Sequence, residues 1–342
     1  MQHVRTVFTL AMVAILGLTV NTMAKDKVVL GELSWDGSRA ITHVLKEIIE
    51  SRLGYDVDIV QAEAAVIFAA MDKGEGGLDV LTDLWMPNQA EKWRKYIEPG
   101  SRESVLVNDK PYTGTQGLFV PGYIQDQYGV KSVHDLTDPK IAKLFDSDGD
   151  GKGEYWPGGP GWNSTNVEQV KAKSYGYDKY FEPYVVADSM LKAKLKADYR
   201  RKKGILFYFW TPEWIHAAYD LRRLEEPPFD GYAMASKKHD PKYNPHGCFN
   251  MIQPKEDEDW LAKSEVTCSW PDAKVYVAFA KTLTRRAPKV AQFLRQVAFD
   301  SVVVNTWILQ IGQEKRNPAE VAKEWVADNT DTVDRWLAGI GK

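Results

Sequence analysis

Three tryptophans carry the most visible chemistry in this sequence. Trp85 stands in Asp83-Leu84-Trp85-Met86-Pro87, Trp162 in Gly159-Pro160-Gly161-Trp162-Asn163-Ser164, and Trp210 in Tyr208-Phe209-Trp210-Thr211-Pro212-Glu213-Trp214. Each has Pro or Gly close by, which reads as a loop, a strand end or a helix start. A ring held at such a point presents its face to a cleft more readily than one inside a regular element. Several indole faces meeting at one place make a cage for a cation without N–H donors, because the ring quadrupole attracts positive charge by up to about 2 kcal/mol per ring when desolvated. That chemistry points to a quaternary ammonium compound. The plainer alternative is ordinary core, which is the reading for Trp307, Trp325 and Trp336 in their helical patterns; Trp93 and Trp214 are intermediate.

The second of these motifs also offers an anion seat. Gly161-Trp162-Asn163-Ser164 precedes a predicted helix, and free backbone N–H groups at a helix start bind carboxylates. A zwitterion would place its carboxylate there and its ammonium against Trp162. Self-capping by the Asn163 or Ser164 side chain is the alternative, and both can hold at once. Separately, Asp146, Asp148 and Asp150 follow the D-x-D-x-D-G spacing of calcium loops, but the twelfth position is Pro157 and not the bidentate Glu. The loop is either a structural Ca²⁺ site with fewer carboxylates or a solvated turn. No cofactor is otherwise required. The six histidines are scattered. His134, His239 and His246 read as surface loop residues, His43 as part of a helix and His216 as structural. No zinc-protease, nucleophile-elbow or phosphate-loop motif occurs, so nothing requires an enzyme.

The elements that must position these residues alternate near the start of the chain. Lys27–Leu33 predicts a strand, and Asp36 can cap a helix with Ile41, Val44, Leu45, Ile48 and Ile49 on one face. Tyr55–Val60 alternates as a strand, Ala64–Met71 reads as helix, and Leu78–Leu81 is a strand that delivers the chain to Trp85. This β-α-β-α-β rhythm predicts an open, mostly parallel α/β sheet, whose ligands bind beyond the carboxyl ends of the strands. Trp35 and Trp85 both fall at that rim. Tyr112–Tyr123 is a Gly-punctuated apolar stretch suited to connecting two lobes. Gly204–Phe209 predicts a buried strand ending at Trp210. Residues 225–268 look irregular, Lys274–Phe279 is a strand, and the remainder is amphipathic helix.

Bulk properties fix the setting. Arg5, the apolar run Val7–Val20 and Thr22-Met23-Ala24 read as a secretory signal peptide cut after Ala24. The run is shorter than the roughly 20 residues of a spanning helix, and the expected destination is the periplasm. Removing 24 residues from 342 leaves 318, enough for two domains. The net charge of −3 offers no basic face for nucleic acid. Cys248 and Cys268 are the only cysteines. In an oxidising compartment they are expected to pair, two buried free thiols being the alternative.

Taken together, these motifs resemble the periplasmic substrate-binding proteins of glycine betaine/proline betaine ABC uptake systems and their choline-binding relatives. The stretches that carry the likeness are Asp138–Asp146 with Gly149-Asp150-Gly151-Lys152 and Pro160-Gly161-Trp162, then Phe207–Trp214, then Leu84-Trp85-Met86-Pro87. The resemblance implies a two-lobed (type II) binding protein fold that closes on its ligand like a hinge. It implies a box of Trp85, Trp162 and Trp210, with the backbone N–H groups of Asn163 and Ser164 on a carboxylate. Trp35 and Tyr112 match aromatics that join the cage in the choline relatives. Betaine binders carry a His four residues after the first box Trp; here that position is Gln89.

The expected organisation is therefore a signal peptide (1–24), lobe I (25–115 and 271–342) and lobe II (116–270), the second ending in the irregular Cys-containing segment. The expected function is that of a monomeric periplasmic receptor. It would capture glycine betaine or a related quaternary ammonium compound and deliver it to the membrane permease of an ABC importer. A choline or carnitine receptor of the same type is one alternative. A secreted Ca-dependent glycan-binding module or hydrolase, with Glu213 and the Asp loop as candidate carboxylates, is another.

Overall fold

The structure is a computed structural model that describes residues 27–341. The expected signal segment and its cut after Ala24 lie outside the described residues. In chain order the strands are β1 (Val28–Glu32), β2 (Val57–Gln61), β3 (Val80–Met86), β4 (Val105–Val107), β5 (Tyr112–Pro121), β6 (Gly153–Trp156), β7 (Phe181–Pro183), β8 (Leu206–Thr211), β9 (Leu221–Arg223), β10 (Phe249–Asn250), β11 (Glu265–Val266) and β12 (Ala273–Ala280). β1 is buried along its whole length, as a strand between two parallel neighbours must be. It pairs in parallel with β2 and β3. In the second lobe β6 pairs in parallel with β7 and β8.

The parallel arrangement predicted from the alternating elements holds within these two sets, and the strands joining them run antiparallel. β12 lies antiparallel to β3, to β4 and to the start of β5, through Ala273↔Gly114 and Val275↔Tyr112. From Thr115 onward β5 pairs antiparallel with β8 instead, as Thr115↔Thr211 and Gln116↔Trp210. One strand thus leaves the first lobe and enters the second without a helical crossover, and direct passage of that kind gives antiparallel neighbours. Trp85 and Trp210 take the strand-end setting, one of those their neighbouring prolines predict: they are among the last residues of β3 and β8. Pairing runs up to the prolines, Pro87 and Pro212, which cannot donate to a ladder.

The Asp36–Ile48 helix buries Ile41, Val44, Leu45 and Ile48 against the sheet, as their spacing predicts. Its N-cap is Trp35, not Asp36. The Asp36 carboxylate is drawn away from capping by Lys192, 2.8 Å from it. Trp307 and Trp336 are buried, and with Trp325 and Phe299 they form one aromatic cluster, the Trp307–Trp325 rings lying 4.8 Å apart. Those three tryptophans are core, as their helical setting implies. Among the described residues no helix is long and apolar enough to cross a membrane.

Residues 225–268 carry little regular structure, only β10, β11 and two short helical turns, Ala235–Lys237 and Trp260–Lys263. Cys248 and Cys268 are disulfide-bonded there, with Cα atoms 5.7 Å apart, and close a loop of 20 residues. Closing a loop of that length restricts the unfolded chain and contributes about 3 kcal/mol. Denaturant unfolding with and without reductant is therefore expected to differ by about that amount. A difference below about 1 kcal/mol would show that this segment needs no cross-link.

Candidate functional site

Four indoles meet at the interface of the two lobes. Trp35 follows β1, Trp85 ends β3, Trp162 holds the N-cap of the Asn163–Tyr175 helix, and Trp210 ends β8. Ring centroids are 5.2 Å apart for Trp35–Trp162, 5.5 Å for Trp162–Trp210, 6.3 Å for Trp85–Trp210 and 6.4 Å for Trp35–Trp210, all edge-to-face. They line a cavity of about 230 Å³, shared with Gln89, Asn163 and Ser164. Rings set edge-to-face stand at steep angles to one another as walls of the cavity and do not stack flat, which leaves ring surface bordering the space between them. Trp210 is backed by Phe209, stacked at 4.3 Å, and its carbonyl lies 3.0 Å from the Nε2 of His216. His216 is thus structural, as expected. Gly114 is needed for close approach, because a Cβ there would lie 2.6 Å from the Trp85 ring.

Tyr112 does not line the cavity. Its ring lies beside Trp85, centroids 6.4 Å apart, where β5 pairs with β12. Its hydroxyl donates instead to Asp83, at 2.8 Å. Asp83 also accepts the indole N–H of Trp35 at 2.5 Å and of Trp85 at 3.1 Å, both on Oδ2. The residue is 1 % exposed. Burial pushes its carboxyl above the ordinary Asp range and these three hydrogen bonds pull it back. The same burial, with the Asp83 carboxylate beside it, raises the Tyr112 phenol.

At the other end, no side chain caps the start of the Asn163–Tyr175 helix. Self-capping by Asn163 or Ser164, the alternative open in the sequence, is not what the structure shows. The Ser164 hydroxyl is turned to Tyr208, whose phenol oxygen donates to the Gln116 side chain; Asn88 donates to that same side-chain oxygen at 2.8 Å. Gln89 reaches the cavity with a buried side-chain oxygen that has no hydrogen-bond partner, and so does Asn88. Lys92 lines the same wall.

Asp83, Asn88, Lys92 and Tyr208 were not singled out from the sequence. A signal for the first existed, since residues two apart on a strand share a face and Asp83 precedes Trp85 by two. Lys92 follows Gln89 by three, the spacing of neighbours on a helix face.

The acidic loop lies apart from the cavity-lining residues. Acid oxygens of Asp146, Asp148 and Glu154 fall within 4.8 Å of one another, as do those of Asp148, Asp150 and Glu182. Much of that oxygen is already used. Asp146 accepts Gly149 N–H at 2.6 Å and Gly151 N–H at 3.0 Å, Asp148 accepts Asp150 N–H at 3.1 Å, and Asp150 accepts Lys152 N–H at 2.8 Å. Calcium takes six to eight oxygens, so these carboxylates would have to serve ion and backbone together.

A second charged cluster joins the lobes beside the cage. Lys192 lies 2.8 Å from Asp36, which directly follows Trp35, 2.9 Å from Asp188 and 3.4 Å from Glu213. The Trp214 indole N–H also donates to Asp36, at 3.2 Å. Glu213, a candidate carboxylate for a hydrolase, is fully buried in this cluster and does not line the cavity. Burial, offset by Lys192 and reinforced by Asp188 and Asp36, pushes its carboxyl up to about 8. Glu168, buried beside Lys171 and Glu226, is pushed up to about 7, mainly by burial.

The sign of the resulting pH dependence is fixed. Between the unfolded carboxyl value, about 4.3, and these raised values, the folded chain holds more protons than the unfolded one. Stability therefore falls as pH rises through that window. A series of melting curves from pH 5 to pH 8 is expected to show a continuous drop in Tm. A flat or rising Tm would mean that both carboxyls are ionised throughout.

Residues 26–328 match the family model for the substrate-binding domain of ABC-type glycine betaine transport systems. The chain belongs to that family. It is 32% identical over 167 residues to the glycine betaine-binding periplasmic protein OusX of Dickeya dadantii (strain 3937), which is 48% of each chain. The matched stretch thus spans about half the length of that relative. Among solved structures, lactococcal OpuAC, closed around glycine betaine, superposes with a TM-score of 0.66 at 20% identity, covering 92% of this chain and all of that one. An ABC-transporter choline-binding protein in complex with choline gives 0.67 at 19%, covering 92% and 93%. At such identities these structures establish the two-lobed fold of this family member and nothing finer.

Proposed function

We propose that this family member is a periplasmic, solute-binding receptor of an ABC importer, exported by a signal peptide cut after Ala24. It captures glycine betaine or a related quaternary ammonium compound and passes it to the membrane permease. It acts as a monomer and catalyses no reaction. The observation that carries this reading is the meeting of Trp35, Trp85, Trp162 and Trp210 around one cavity at the lobe interface. Indole faces supply attraction and dispersion to a methylated cation that cannot donate a hydrogen bond. The uncapped helix start at Asn163 and Ser164 receives a carboxylate or another electronegative end, with Gln89 and Lys92 beside it. The rings come from both lobes, so lobe closure completes the cage and binding is linked to closure.

Choline and carnitine are a second reading within the same class. It is favoured by Gln89 at the position where betaine binders have a His, and by Trp35 in the cage. Mass spectrometry of the small molecule released on denaturing freshly purified protein tests the proposal. A quaternary ammonium compound is the expected finding. Recovery of a sugar or an amino acid with a free ammonium group would overturn it.

A further inference from the structure

Asp83 is a buried carboxylate held by three donors that are all cage or cage-flanking aromatics. Oδ2 takes the N–H of Trp35 and Trp85, and Oδ1 takes the hydroxyl of Tyr112. No lysine or arginine among the described residues pairs with it. Other buried acids near the lobe interface are paired: Lys192 serves Asp36, Asp188 and Glu213. A buried charge is normally either paired or neutralised. Asp83 lines the cavity itself, so the missing partner can come from the ligand. Its hydrogen bonds act in the same direction, because an indole N–H donated to a carboxylate leaves more electron density on the ring face that meets the cation.

We propose that Asp83 is the charge-selecting residue of the cage, restricting it to head groups that carry a full positive charge and rejecting neutral groups of the same shape. This rests on the quaternary ammonium reading above. Rings alone would favour a trimethylated cation over a tert-butyl group only through their quadrupoles. A fixed carboxylate behind two of them adds a direct charge–charge attraction in a site shielded from water. In the same way it makes the site more tolerant of ligands with net positive charge, such as choline, than a cage of neutral rings would be.

The test uses two pairs of ligands that differ only in N⁺ against C: choline with 3,3-dimethylbutan-1-ol, and glycine betaine with 3,3-dimethylbutanoate. Binding to ligand-stripped wild-type protein and to Asp83→Asn is read by tryptophan fluorescence. Asn keeps the size and can still accept both indole N–H groups through its oxygen, while its NH₂ faces the Tyr112 oxygen. The expected result is a loss of roughly tenfold or more in affinity for the cationic member of each pair. Affinity for the carbon analogue stays the same, so the preference for charge shrinks by that factor. Parallel losses for both members would make Asp83 a positioning residue only, and no loss would make its charge irrelevant; either overturns the proposal.

If wild-type protein binds no quaternary ligand, the functional reading falls first and this inference with it. Should Asp83→Asn not fold, the carboxyl ¹³C resonance of Asp83 in choline-bound wild-type protein at pH 7 decides. A carboxylate shift supports the proposal, and a protonated-acid shift overturns it.

Discussion

Replacing Lys192 by Met is expected to destabilise the fold by about 3–5 kcal/mol, the usual cost of removing one partner from a buried ion pair. Lys192 is the cation shared by Asp36, Asp188 and Glu213, Arg39 reaching only Asp36 at 3.7 Å, and its side chain is only 11 % exposed. Without it three carboxylates face one another in a poorly solvated space, and two of them, Asp188 and Glu213, already have buried oxygens without hydrogen-bond partners. Both must then take up protons or the cluster must open. The loss should therefore be smaller at pH 5 than at pH 8, because protonation of the carboxyls relieves the repulsion. Chemical denaturation at the two pH values measures both quantities. A loss below about 1 kcal/mol, or one that does not change with pH, would show that the cluster is better solvated than its packing indicates.

The same substitution has a consequence for binding. Asp36 begins the helix that follows Trp35 in the first lobe, while Asp188 and Glu213 belong to the second, Glu213 three residues after Trp210. Lys192 thus ties together the two segments that carry facing cage rings. Loss of this tie favours the separated lobes, and ligand affinity should fall along with stability.

Trp162→Ala is expected to weaken ligand binding by about 1–3 kcal/mol, or roughly 5- to 150-fold. Its ring lies against Trp35 and Trp210 on the cage side and against Trp156 behind, at 5.5 Å. Removal takes away a cation-attracting face and also the apolar contact with the ligand's methyl groups, so the loss exceeds the electrostatic share alone. Trp162→Phe should recover part of it, because a smaller ring remains. Trp162 is only partly buried, so the melting temperature of ligand-free protein should change much less than affinity does. A Trp162→Ala protein that binds as tightly as wild type would place the ligand elsewhere.

Much of this site was legible in the sequence because its key residues sit at punctuation. Trp85, Trp162 and Trp210 each neighbour a Pro or Gly that ends a strand or starts a helix, and those are the points a two-lobed α/β fold brings to its cleft. The strand–helix alternation up to Trp85 likewise follows from local periodicity. The partners of those strand ends were not legible, because ladder pairing with β12 and β5 is set by residues far away in the chain. Tyr112 falls outside the cavity lining for the same reason. The Lys192 cluster was invisible, since Asp36 and Lys192 are 156 residues apart and no local pattern joins them. Asp83 was within reach through the two-residue strand period, but its role appears only once Trp35 and Tyr112 converge on it.

The most direct test is calorimetric titration of protein unfolded, stripped of bound ligand and refolded, with glycine betaine, choline, carnitine and proline in turn. The account predicts saturable heat with at least one quaternary ammonium ligand at one site per chain, lost or greatly weakened in Trp162→Ala. Absence of heat with every quaternary ligand, from protein that has refolded to its native melting profile, would contradict it.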